Sequence, residues 1–150
     1  MRTFNRVVPI AARLFLGLGF TVFGLNSFLH FMRLPAPPPG AGAGAFLGAL
    51  GAGGYLFPLL NVTEVVTGLL LLSGLFVPLA LAVLAPILVN IIGFHLFLEP
   101  SHLLIPLALV AAEIYLAWTY RAAFAPMVRL RTPLPRRTVE PESKALHLAA

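Results

Sequence analysis

Residues 55–98 read YLFPLLNVTEVVTGLLLLSGLFVPLALAVLAPILVNIIGFHLFL, and Glu64 is their only formal charge. A helix crosses the hydrocarbon core of a bilayer with about 20 apolar residues. This stretch is long enough to cross twice, with Gly74 to Pro78 supplying the turn between two helices expected at 55–76 and 78–98. Pro58 falls in the first turn of one, where proline is tolerated. Pro86 falls near the centre of the other, where its ring and missing N–H predict a kink or a local unwinding.

Outward from there the apolar character persists. Residues 34–120 contain no Lys or Arg, and the chain of 150 residues is 59% hydrophobic and 10% charged. A water-soluble domain carries charge on about a quarter of its residues, so a soluble globular enzyme is excluded. With no cysteine there is no disulfide, thiolate metal site, redox CxxC pair or cysteine nucleophile. The net charge of +5 sits at the two ends, with Arg2, Arg6, Arg13 and Arg33 before the apolar body and Arg121 onward after it. A nucleic-acid surface would spread basic residues over a folded face. Basic ends on an apolar body instead indicate an integral membrane protein with both termini cytoplasmic.

Two more spans complete the pattern. One is expected at 8–31, closed by Arg33 and the run Pro35-Ala-Pro-Pro-Pro39. The other is expected at 102–124, with Ser101 as a cap, Pro106 in its first turns, and Trp118, Tyr120 and Arg121 as interfacial anchors. The first apolar run exceeds the roughly 7–15 residues of a signal-peptide core, which sets it against cleavage at Ala43-Gly-Ala45. Residues 41–53 are uncharged but crowded with glycine, which weakens a helix by about 1 kcal/mol per residue relative to alanine. They are expected to form a short helix on the outer face, interfacial or re-entrant, with Gly44-xxx-Gly48 as a close-packing motif. The fold class is therefore all-α: a membrane four-helix bundle over 1–124 and a disordered, basic cytoplasmic tail over 125–150.

Polar side chains inside a membrane are costly and therefore informative. Alternating topology brings Asn26, His30, Asn61, Glu64, Asn90, His95, Glu99 and His102 to the outer half of the bundle, while Glu113 lies deeper. Asn26 and His30 share a face, as do Asn61, Glu64 and Gly68. Asn90 and His95 lie about 140° apart on an ideal helix; Asn90 is expected to point inward, and His95 sideways or toward Glu99. Glu64 is expected to draw hydrogen bonds from Asn26, His30 or Asn90, or else to be kept protonated. The candidate ligand-binding or proton-handling residues are thus Glu64, His30, Asn26, Asn90, His95 and Asn61. The same residue types also serve as interhelical hydrogen-bond glue. No HxxH or HxxxH spacing occurs, and no metal site is expected. Arg13 is expected to snorkel to the membrane surface or to reach toward Glu113.

Several of these stretches resemble one family. Arg13-Leu-Phe-Leu-Gly17 and Gly24-Leu-Asn26 resemble the first helix of the DoxX family of small bacterial membrane proteins. Gly54-Tyr55-Leu56 with Glu64-Val-Val-Thr-Gly68-Leu-Leu-Leu-Leu72 resembles its second, and Pro86-Ile-Leu-Val-Asn90-Ile with Phe94-His95 its third. The resemblance covers roughly residues 8–124. The family often has a basic residue after the helix 1 glycine, where this chain has Asn26-Ser27. The resemblance implies a four-helix bundle in the bacterial inner membrane, associated with quinone-linked oxidoreductase assemblies. The expected role is a membrane subunit with a polar pocket in the outer half, no covalent cofactor, quinone as the bound molecule, and a redox enzyme or a second copy as partner. The alternative is a non-enzymatic scaffold or assembly factor whose polar residues are structural. A solute carrier, without an inverted repeat, ranks last.

Overall fold

The computed structural model describes residues 4–33 and 42–127. Of these, 85% are helical and none is in a strand. The helices are α1 (Phe4–Leu29), α2 (Gly42–Ala52), α3 (Leu56–Ser73), α4 (Val77–Phe97), α5 (Leu104–Thr119) and α6 (Arg121–Phe124). Most of the expected disordered tail, and the Pro35–Pro39 run, lie outside the described residues.

Three helical segments are long and apolar enough to cross a membrane: Val7–Leu29, Leu56–Ser73 and Val77–Phe97. The fourth expected span is shorter than its sequence suggests. Pro100 opens a 3₁₀ turn over Pro100–His102, α5 starts only at Leu104, and Tyr120 breaks it from α6. The 16 residues of α5 rise roughly 24 Å. No side chain caps its start, so Ser101 does not serve as the expected cap.

α1 packs against α3 and α5, and α4 packs against the same two. The core between them is built from Leu16, Phe20, Leu71, Leu81, Leu84, Leu88, Leu109 and Leu116. Outward, large apolar side chains stand exposed: Phe97 at 85%, Leu104 at 80% and Val89 at 68%.

The tightest contact joins α1 to α3. A Cβ on Gly17 would lie 3.0 Å from the Gly68 carbonyl oxygen, and one on Gly24 would lie 2.8 Å from Val65 Cγ2. A Cβ on Gly68 would lie 2.9 Å from the Gly17 oxygen and 2.8 Å from the Thr21 nitrogen. By contrast, nothing lies within 4 Å of the Cβ positions of Gly44 or Gly48. The expected packing motif in α2 is therefore not one; its glycines face open space.

The helix ends have local causes. His30 leaves α1 with φ 52°, in the left-handed region, and its N–H donates to the Asn26 carbonyl at 2.8 Å. Such a left-handed residue is a common helix terminator, and α1 stops at Leu29 instead of Phe31. Gly74, with φ 77°, ends α3 by donating to the Leu70 and Leu71 carbonyls. The Arg13 guanidinium rests on this turn, with Nη1 2.5 Å from where a Gly74 Cβ would be. Arg13 thus lies against the α3–α4 turn, and no ion pair joins it to Glu113 among the described residues.

α4 runs unbroken through Pro86, so the expected unwinding does not occur. Its buried positions are Val77, Ala80, Leu81, Leu84 and Leu88. This three-to-four spacing is the apolar stripe of a packed helix; continued outward it reaches Ile91 and His95. Pro86 and Asn90 fall on the opposite, exposed side.

The glycine contacts generate a paired prediction. Gly68→Leu should destabilise the purified protein by about 1–3 kcal/mol through overpacking against α1. Gly44→Ala, in open space within a helix, should stabilise it by up to about 1 kcal/mol. Denaturant titration in mild detergent reads both; a neutral Gly68→Leu would refute the close α1–α3 contact.

Candidate functional site

A cavity of about 340 Å³ opens between α1, α3, α4 and α5 at the end where α1 stops and α3 begins. Phe20, Phe23, Ile91, Phe94, Pro106 and Leu109 supply most of its wall, and Leu47 reaches it from α2. Phe46 of α2 packs on Phe94, with ring centroids 5.8 Å apart. The polar lining is Glu64, His95, Glu99 and His102.

Two of the expected site residues, Glu64 and His95, are brought together here. Asn61, Glu64, Gly68 and Leu71 all lie buried along one face of α3. Glu64 is 8% exposed and receives no side-chain hydrogen bond from the described residues. None of the three residues expected to supply one reaches it. Asn26 accepts from the Met32 N–H at 2.6 Å and donates to the Met32 carbonyl at 3.2 Å, clamping the chain after α1. Asn90 is exposed and donates to the Pro86 carbonyl of its own helix at 3.0 Å, which corrects the inward placement. His30 is exposed in the turn after α1 and does not line the cavity. Asn61 is buried but also lies off the cavity wall.

The polar centre of the site joins the candidate His95, which turns toward Glu99 as one expectation had it, to Glu99 and His102, which were not among the candidates. Glu99, just past the end of α4, sits between two histidines. Its Oε1 is 2.9 Å from His102 Nδ1, and its Oε2 is 3.8 Å from His95 Nε2. The side chains of His102, His95 and Glu99 are 55%, 20% and 7% exposed, so the group runs from solvent into the cavity. The signal was present in the spacings, His95 to Glu99 one helical turn apart and Glu99 to His102 three residues apart.

Hydrogen bonding fixes the rings. His95 Nδ1 lies 2.9 Å from the Ile91 carbonyl oxygen, which can only accept. Nδ1 therefore carries the hydrogen, and Nε2 faces Glu99. The hydrogen bond from His102 is the main cause holding the Glu99 carboxyl below its ordinary value of 4.5. No group of three or more side chains suited to hold a metal ion occurs among the described residues.

Glu113 is a second buried acid, on the inward stripe of α5 with Pro106, Leu109 and Leu116. Its Oε2 has no hydrogen-bond partner among the described residues, and it lies off the cavity wall.

A depressed folded-state value means that the Glu99 contacts stabilise the fold above the ordinary glutamate range. That stabilisation is lost as pH falls through the lower folded value. Hydrogen-exchange protection at residues 98–103 should therefore drop as pH falls below the ordinary glutamate range. Glu99→Gln should give the weaker protection at all pH values; an unchanged acid-dependent drop in that variant would assign the effect to another group. Comparison with protein-family models, curated proteins and solved structures finds no match to this chain, so its own residues carry the functional reading.

Proposed function

We propose that the chain is a multi-pass membrane protein of the bacterial inner membrane, a four-helix bundle of α1, α3, α4 and α5 with α2 across one end. It holds a lipid-soluble molecule with a polar head, of the quinone type, and serves as the membrane subunit of a quinone-linked oxidoreductase assembly. The observation that carries this reading is the cavity itself. It is apolar along its walls, polar at Glu64 and at the His95–Glu99–His102 group, and of a size that ligand pockets commonly have, about 300–1,000 Å³. The exposed apolar side chains on the outer helix faces suit lipid contact. The resemblance to the DoxX family supports the redox assignment. The basic residues at both ends support cytoplasmic termini, with the cavity in the outer half. Arg121, packed 5.1 Å from the Trp118 ring centroid, fits the cytoplasmic interface.

The scaffold reading draws on Asn26 and Asn90, whose hydrogen bonds all close onto backbone near their own helices. It makes the cavity incidental.

Reporter fusions at Pro37 and at the C-terminus should report opposite sides of the membrane; the same side for both would refute the topology. Organic extraction of the purified protein should recover quinone in molar proportion, and an Ile91→Trp variant, which fills the cavity, should lose it. A protein that folds and supports its partner enzyme with no bound quinone, and equally well as Ile91→Trp, would favour the scaffold.

A further inference from the structure

The side of α4 turned away from the core carries a pattern of its own. Leu79, Val83, Pro86, Asn90, Gly93 and Phe97 follow one another at alternating steps of four and three residues. At about 100° per residue they fall within a stripe about 80° wide, opposite the buried stripe of Val77, Leu81, Leu84 and Leu88. A spacing that averages about 3.5 residues is that of a seam along which two helices wind together. Five of the six are exposed, and nothing lies within 4 Å of the Cβ position of the sixth, Gly93. The seam carries no formal charge.

Asn90 interrupts it. The residue lies seven positions before the end of α4 at Phe97, roughly 10 Å into the helix. Asn26 and Asn61 are buried, whereas the Asn90 amide is exposed. Its Nδ2 gives one hydrogen to the Pro86 carbonyl at 3.0 Å. The second amide hydrogen and the Oδ1 lone pairs find no partner among the described residues. Acyl chains offer none, and a polar group left unpaired in hydrocarbon is costly.

We infer that this face of α4 binds the same face of a second copy, in parallel, with the two Asn90 amides hydrogen-bonded to each other. This rests on the proposed membrane placement of α4 and not on what the cavity holds. Copies inserted with one topology lie parallel, and a two-fold axis along the bilayer normal sets each seam residue against itself. A primary amide both donates and accepts, so it is its own complement. Asparagine at a single seam position is the residue that fixes register in parallel two-stranded coils. Gly93, one turn further on, lets the two backbones approach beside the amides. A different partner chain would have to present an amide at this same depth; a second copy does so by symmetry.

The test uses the full chain reconstituted in liposomes. The chain has no cysteine, so single cysteines report the contact directly. Val83→Cys and Phe97→Cys lie on the seam, while Leu59→Cys on α3 and Ile114→Cys on α5 replace exposed residues of other faces. Oxidation should cross-link the two seam variants into dimers and leave the other two monomeric. Energy transfer between copies labelled at an added C-terminal cysteine, followed as lipid is added, gives the dissociation constant. Asn90→Leu should raise that constant by about threefold or more, and Asn90→Gln, which keeps an amide, should restore most of the association. Monomers at every lipid ratio, cross-linking that favours Leu59→Cys or Ile114→Cys, or association unchanged in Asn90→Leu would overturn the inference and leave the membrane reading standing. A chain that alkaline carbonate strips from the liposomes would overturn both.

Discussion

The close approach of α1 and α3 is the constraint on which the rest of the structure depends. With Gly17, Gly24 and Gly68 at the contact, two backbones meet where side chains would otherwise hold them apart. That approach fixes where every neighbouring residue lands. The Glu64 Cβ comes within 3.2 Å of the Gly24 Cβ position, and Gly19 faces Leu109 of α5. In an apolar surrounding, where hydrophobic burial gives helices little reason to associate, such close packing is a main source of specificity. It puts a carboxyl at the cavity wall and leaves the wider spacing, toward α4 and α5, to form the cavity.

Much of this was legible in the chain. Long apolar runs locate the three helices of spanning length, and the grouping of Asn61, Glu64 and Gly68 on one face follows from their spacing. The misreadings have physical reasons. A glycine pair four residues apart drew attention to Gly44 and Gly48, but such a pair needs a partner helix, and the partner lay with Gly17 and Gly24. Asn90 looked like the inward polar residue of α4. The stripe Val77, Leu81, Leu84 and Leu88 passes instead through His95 and turns Asn90 outward. That stripe was readable without a structure. The left-handed His30 was not, because the clamp from Asn26 to Met32 is a tertiary choice that apolar periodicity does not encode. The division of residues 102–124 into α5 and α6 at Tyr120 likewise carries no strong sequence marker.

The division of labour among the polar residues follows from where their hydrogen bonds go. Asn26 and Asn90 spend theirs on nearby backbone and so shape the helices themselves. The His95–Glu99–His102 group spends its on fixing two imidazoles and keeps one face toward the cavity. Its position beyond the end of α4 gives it access to water, which the Glu64 side of the cavity lacks. Polarity thus runs from wet to dry along a single wall, the arrangement an amphiphile needs to orient itself.

The cavity wall begins with Gly19 and ends with Leu109, so it draws on nearly the whole ordered chain. Its last contributors, Ile105, Pro106 and Leu109, belong to α5, which a ribosome delivers after α1 to α4. Until that helix docks between α1 and α4, the cavity lacks one of its walls. On the proposed membrane reading, a molecule dissolved in the bilayer would then enter sideways during assembly, without crossing the polar mouth. Once α5 closes over it, the occupant's binding free energy is added to that of the fold. Under the proposed function, biogenesis and loading would become one event, and a cell short of the ligand would carry less of the assembled protein.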